Sequence, residues 1–188
     1  MNWKLILFIA LIAFGGYQHF HQSDTNQFIA SQPTNEGVVT IKGYEITPLE
    51  PFEMHARVLS SKHYRSDKEA DLVPVDLALG WGPMADLTVS NQVRVTQSNR
   101  WYHWQVESFP IPRREIETNS ANMHLIPANP AIAEAIQSAK TGQMVRFTGD
   151  LVEVVDPAKG WRWKSSLTRN DTGAGACELV LVKTFSVL

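Results

Sequence analysis

The chain is poor in the residues that build specialised chemistry. Its 188 residues contain a single cysteine, Cys177. One thiol excludes an intramolecular disulfide and a thiolate-rich metal centre. It leaves burial, reactivity or pairing between chains as the roles for Cys177. Charge is scarce in both signs: 17 basic and 19 acidic side chains give a net −2. No basic run is long enough to form the clustered face that captures nucleic acid, so nucleic acid is not the expected partner. Metal-binding spacing is also missing. His19 and His21 fall in the membrane-proximal segment, and His55, His63, His103 and His124 show no HxH or i, i+4 pairing with carboxylates. No metal or other cofactor is expected.

Long hydrophobic runs are absent but for one. After a positive start from Met1 to Lys4, the stretch from Leu5 to Tyr17 carries no charge. As a helix it would span roughly 20 Å, short for a membrane core of about 30 Å, though Trp3 and the Tyr17–Phe20 stretch could extend it at the interfaces. Residues 1–20 therefore read as a signal anchor, with a cleaved signal peptide or a buried helix of the domain as the alternatives. Lys4 precedes the run, and the first charges after it, Asp24 and Glu36, are acidic. The positive-inside bias then leaves the N-terminus in the cytoplasm and the rest of the chain in the periplasm of a bacterial envelope. The membrane, reached through residues 5–17, is one expected partner.

Residues 21–37 are rich in Gln, Ser, Thr and Asn and have little to bury, the composition of a flexible tether. Residues 38–188 remain, about 150 in all, the size of one domain with a continuous core. Strand signals dominate them. Val38–Ile46 is one; Phe52, Met54, Ala56 and Val58 alternate with polar neighbours and form another. Val93 and Val95, Trp101–Glu107, Met144–Val155 (hinged at Gly149-Asp150), Trp161–Leu167 and Glu178–Val187 follow. One main helix is expected at about residues 130–141, with Asn129 as cap, Pro130 in its first turn and Gly142 beyond its end. Shorter helical turns are expected at Arg113–Thr118 and around Asp67–Leu79. The predicted class is mainly β with minor α: a small closed or semi-closed antiparallel β-barrel, OB-like, with one main helix.

Several motifs suggest chemistry. Asp171-Thr172-Gly173-Ala174 spells an aspartic-protease signature, but Arg169-Asn170 stand where that signature needs an apolar strand, so a glycine-rich loop is the better reading. Cys177, His124 and Asp171 (or Glu178) supply the parts of a nucleophile–base–orienter set. The stretch from Asn119 to His124 is dense in hydrogen-bonding groups, which suits either ligand orientation or buried backbone satisfaction. Trp101 and Trp104, then Trp161 and Trp163, lie on predicted strands. The last two share a face, as a stacking platform or as core.

Three stretches, PVDLALGWGPMAD (Pro74–Asp86), PIPRREIETNSANMHLIPA (Pro110–Ala128) and WRWKSSLTRNDTGAGACELV (Trp161–Val180), resemble a family of bacterial membrane-anchored or exported proteins of unknown function. The resemblance runs from about Phe52 to the C-terminus. It implies the same topology and one intact domain, not an activity. It nominates a shared ligand-binding surface: Asp76, Trp81 and Asp86 from the first stretch, and Asn119, Ser120, Asn122 and His124 from the second. Ser165, Ser166, Arg169, Asp171 and Glu178 come from the third. The expectation is a membrane-tethered, non-enzymatic binding or assembly module with an envelope protein or glycan as partner. The alternatives are a small hydrolase or transferase using Cys177 and His124, and a glycan- or peptide-binding surface built on the tryptophans.

Overall fold

A computed structural model describes residues 31–34, 37–168 and 177–188. The expected membrane segment and most of the expected tether lie outside them. Among the described residues no helix is long and apolar enough to cross a membrane. The first half of the fold comprises β1 (Ser31–Thr34), β2 (Val38–Ile41), β3 (Tyr44–His63), β4 (Val75–Gly80), a 3-10 turn (Gly82–Ala85) and α1 (Leu87–Ser90). The second half comprises β5 (Arg94–Ser98), β6 (Trp101–Gln105), α2 (Arg113–Thr118), β7 (Ser120–Pro127), α3 (Pro130–Ser138), β8 (Met144–Asp156), β9 (Trp161–Lys164) and β10 (Glu178–Val187). The protein is mainly β with few helices.

Five strands close on one another. β3 pairs with β4, β4 with β7, β7 with β10, β10 with β8, and β8 returns to β3. All these pairings are antiparallel except the parallel β7–β10 pair. Side chains alternate across each strand, and one set from every ring strand meets in a single core cluster. Phe52, Met54, Ala56 and Val58 come from β3, Leu77 and Leu79 from β4, Met123 and Leu125 from β7, Phe147 from β8, and Val180 and Val182 from β10. Ile136 of α3 and the neighbouring Ala139 join it. Phe147 is its centre, with Phe185 stacked at 5.7 Å and Phe52 at 6.1 Å.

The long strands β3 and β8 run on beyond the ring. A register shift between Pro48 and Glu50 bends β3, as bulges do. Its first half then joins β2, β9 and the end of β8 around a second cluster containing Ile41, Ile46, Val152, Val154, Leu179 and Leu181. Gly149 lets β8 sit between β3 and β10. A Cβ there would lie 2.0 Å from the Leu181 carbonyl oxygen, so no other residue fits without moving β10.

Three expectations need correction. Val38–Ile46 is not one strand: Lys42 and Gly43 take positive φ (51° and 85°) and turn it into the β2–β3 hairpin. The two positive φ values suit the tight turn that such a two-residue loop requires. Asp67–Leu79 is helical in no part beyond turns, because Val75–Gly80 is strand β4, buried along its whole length. A short apolar run bounded by turns fits a strand buried on both faces. The main helix stops at Ser138 rather than 141, since Ala139 is already extended and the Gly142 N–H donates to the Val58 carbonyl. Its start is as expected: the Asn129 side chain accepts from the Ile132 N–H at 3.0 Å. Strand β1 lies within the stretch read as tether, and its backbone pairs with β2.

Gly149→Ala is expected to lose more than ~4 kcal/mol of unfolding free energy in urea denaturation, or to fail to fold. Gly142→Ala is the comparison. At φ 89° with nothing within 4 Å of its Cβ, it should lose only about 1–2 kcal/mol. Equal losses would show that close strand approach is not what Gly149 serves.

Candidate functional site

Asp76 is an acid inside an apolar strand, and its side chain is 0% exposed. A buried carboxylate must be paired and hydrogen-bonded to remain charged. Three side chains surround it. Arg100 Nη1 donates to Oδ1 at 2.8 Å, and Asn122 Nδ2 donates to Oδ2 at 3.3 Å. His124 Nδ1 lies 2.9 Å from Oδ1, an ion-pair distance, although its geometry does not meet that of a hydrogen bond. Asp76 and His124 are direct partners in the β4–β7 register, and Asn122 is two residues before His124 on the same face. The His124 ring also packs on Trp163 at 4.6 Å.

Arg100 comes from elsewhere. It sits at the tip of the β5–β6 hairpin, where Asn99 and Arg100 both have positive φ (50° and 67°) in a two-residue turn. That geometry matches the twist of the flanking strands. It costs a non-glycine residue on the order of 1–3 kcal/mol. The arginine's contacts offset this. It forms a two-point pair with Asp67 at 2.6 and 3.2 Å, donates to the Val73 carbonyl at 2.9 Å, and stacks 3.7 Å from the Tyr64 ring centroid. Burial works against the guanidinium charge, but Asp67 and Asp76 outweigh it and hold the Arg100 pKa above its ordinary value.

The rest of the hairpin follows its tip. Gln97 Nε2 donates to Asn122 Oδ1 at 2.6 Å, and the Tyr102 hydroxyl donates to the Ser120 carbonyl at 3.0 Å. Trp104 and Val95 pack with Met84, Val93 and Ile116 in a third small core. The hairpin is thus fastened across the outer faces of β4 and β7. Burial of the Tyr102 phenol raises its pKa, partly opposed by the Ser120 hydrogen bond.

An open cleft of about 1380 Å³ lies beside this hairpin. β6 and the loop after it, through Phe109, form one wall. Arg113 and Glu117 of α2, Trp81, and the starts of β7 and β10 form the other. Trp101 (44% exposed) and Phe109 (55% exposed) stand at its surface. Arg113 is paired with Glu117 at 2.8 Å and lies 5.7 Å from the Trp104 ring.

The three stretches that carry the resemblance meet in the fold, because β4, β7 and β10 are consecutive neighbours. The nominated residues separate into groups. Asp76, Asn122 and His124 form the buried network. Trp81, Ser120, Asn122, Cys177 and Glu178 line the cleft. Others hold local structure. Asp86 caps α1 by accepting from the Thr88 N–H and hydroxyl, which lowers its pKa. The Asn119 side chain donates back to the Glu115 carbonyl at the end of α2. Ser165 Oγ accepts from the Leu179 N–H, and the Ser166 N–H donates to the Cys177 carbonyl, so both secure the start of β10. Arg169 and Asp171 lie outside the described residues.

Two motifs resolve differently. Cys177 lines the cleft, whereas His124 does not and is held by Asp76 and Trp163. Trp161 and Trp163 share a face as expected, but pack on the second core, with Lys68 over Trp161. Trp101 and Trp104 line the cleft, as does Trp81. Sequence reasoning missed Arg100, Gln97, Tyr102 and Asp67.

Arg100→Met should lower unfolding free energy by about 3–5 kcal/mol, because Asp76 then keeps a buried charge without its guanidinium. Adding Asp76→Asn should recover part of the loss. If the double variant is no more stable than Arg100→Met, the pairing is not what matters. A second prediction concerns alkaline pH. A raised folded pKa at Tyr102 gives stability that is full below the unfolded value of about 10 and is lost as pH rises through the folded one. Tyr102→Phe should therefore cost about 0.5–1.5 kcal/mol at neutral pH and shrink the alkaline loss. It should not abolish that loss, because Tyr44 and Tyr64 are raised too.

No protein-family model matches the chain, and no curated protein matches it either.

Proposed function

We propose that the protein is a binding module of the bacterial envelope, tethered to the inner membrane by its N-terminal segment, with the cleft beside the hairpin as its ligand site. The five-strand ring supports a finer reading of the fold. Its order is first, second, third, fifth, fourth and back to first, with the third and fifth strands parallel and the helix α3 between the third and fourth. That arrangement suits a closed OB-like barrel. In such barrels the outer face of the second and third strands commonly takes the ligand. Here those strands are β4 and β7, and the hairpin covers them. The open binding surface is displaced to the hairpin's side.

The observation that carries this reading is the make-up of the cleft. Aromatic side chains (Trp81, Trp101, Trp104, Phe109) meet polar ones (Gln92, His103, Gln105, Glu107) around a single concavity. Apolar walls with a few placed polar groups are what ligand sites are made of. One observation favours a second reading, a small hydrolase or transferase: Cys177 opens on the same cleft.

Trp101→Ala separates the readings. Trp101 is exposed, so its loss should leave stability within about 0.5 kcal/mol. On the binding reading, it should weaken retention of the native partner on mildly solubilised membranes. Cys177→Ser should leave that retention unchanged. A Cys177→Ser protein that binds but fails in cells would move the assignment to thiol chemistry. Protease added to intact spheroplasts should digest the domain if it faces the periplasm; full protection would place it inside.

A further inference from the structure

We infer that the cleft takes an extended peptide, added as a strand along the free edge of β6. The inference rests on the cleft being the ligand site and names the ligand class. Nine consecutive residues, from Trp101 to Phe109, line the cleft. Successive side chains of a strand point to opposite faces, so an unbroken run over β6 lines a cavity only when the cavity lies along the strand's edge. Among the described residues β6 pairs with β5 alone.

The register identifies the exposed groups. A two-residue turn makes Ser98 and Trp101 the first hydrogen-bonded pair, and Thr96 with His103 and Arg94 with Gln105 are the next such pairs. Tyr102 and Trp104 therefore turn their backbone N–H and C=O groups away from β5. Neither makes a backbone hydrogen bond elsewhere among the described residues. This is the row of donors and acceptors that strand addition uses. The opposite wall cannot offer one, because β7 is already paired on both sides, with β4 and β10.

Size and charge narrow the occupant. The volume of about 1380 Å³ exceeds the roughly 300–1,000 Å³ of small-molecule pockets and suits an elongated ligand. The lining carries two basic residues, Arg94 and Arg113, and three acidic ones, Glu107, Glu117 and Glu178, a net of one negative charge. Arg113 is already taken by Glu117. The peptide is therefore one with alternating apolar side chains against the aromatic wall and a basic side chain that balances the net negative charge of the described lining.

The test selects a displayed library of random linear peptides on the immobilised full chain, with the Trp101→Ala protein as counter-selection. An enriched peptide is then synthesised. The expected sequences alternate apolar residues around a lysine or arginine. On binding, the Tyr102 and Trp104 amide hydrogens should exchange at least about tenfold more slowly. N-methylation of alternate peptide residues should weaken affinity about tenfold in one phase and little in the other, the loss expected from two hydrogen bonds. A peptide that perturbs Trp101 fluorescence but leaves both amides unprotected would overturn strand addition and keep the cleft as a binding site. Binding of peptidoglycan glycan strands in place of any peptide would do the same. If neither peptides nor glycans change Trp101 fluorescence, the cleft itself fails as the site.

Discussion

Asp76 sets the terms for the outer face of this protein. Its carboxylate has no exposure to water, so the chain must bring it a cation. Among the described residues the ring strands bring only the His124 ring beside it, and the permanent positive charge is Arg100, at the tip of the hairpin that follows β4 and precedes β7 in the chain. Pairing Asp76 with Arg100 therefore decides where the hairpin lies. Once its tip is fixed, Gln97 reaches Asn122, Tyr102 reaches Ser120, and Trp104 falls onto the small core around Met84 and Ile116. The cleft is a consequence of that position. It is the space left between the hairpin's unpaired side, α2 and the starts of β7 and β10.

A buried ion pair is a poor source of net stability, because both charges lose their water. Its value here is geometric. A hydrophobic residue at position 76 would let the hairpin slide, whereas a carboxylate accepts only a donor at a defined place. The left-handed backbone at Arg100 points the same way. A turn relaxed by glycine would cost less, but glycine carries no guanidinium. The chain keeps the strained arginine, and Asp67, Val73 and Tyr64 hold its side chain in register from a third segment.

Three of the five ring strands, β3, β8 and β10, were readable in the sequence, because apolar patterning is a property of neighbouring residues. Phe52, Met54, Ala56 and Val58 declare a buried face without reference to anything distant, and the Asn129-Pro130 start of α3 is equally local. β4 was read as part of a helical turn and β7 was not read as a strand: both are buried nearly throughout and show no alternation, since core lies on one face and the hairpin network on the other. The site was only half readable. Asn122 and His124 drew notice as a cluster of polar types, but nothing local ties them to Arg100, more than 20 residues away. Two signals were nonetheless present. Asp76 is a lone charge in VPVDLALG, which calls for a buried partner. Ser98-Asn99-Arg100-Trp101 puts two residues, the first an asparagine, between strand-like runs, the pattern of a tight hairpin turn.

The same reasoning separates structural polarity from functional polarity in the cleft. Ser120 and Asn122 line it, yet their hydrogen bonds are committed to Ile116, Asp76, Arg100 and Gln97. They shape the floor and keep the hairpin down, with little left for a ligand. The backbone of Tyr102 and Trp104 is in the opposite condition: their side chains are committed to holding the hairpin, and their edge groups face outward with no backbone partner among the described residues. Fastening the hairpin by its side chains on one face is what leaves its edge presentable. Had the hairpin joined the ring sheet through β6, the edge would have been consumed and the cleft closed. A hairpin held by side chains and unpaired along its backbone is therefore an arrangement in which stability and recognition draw on different atoms of the same residues.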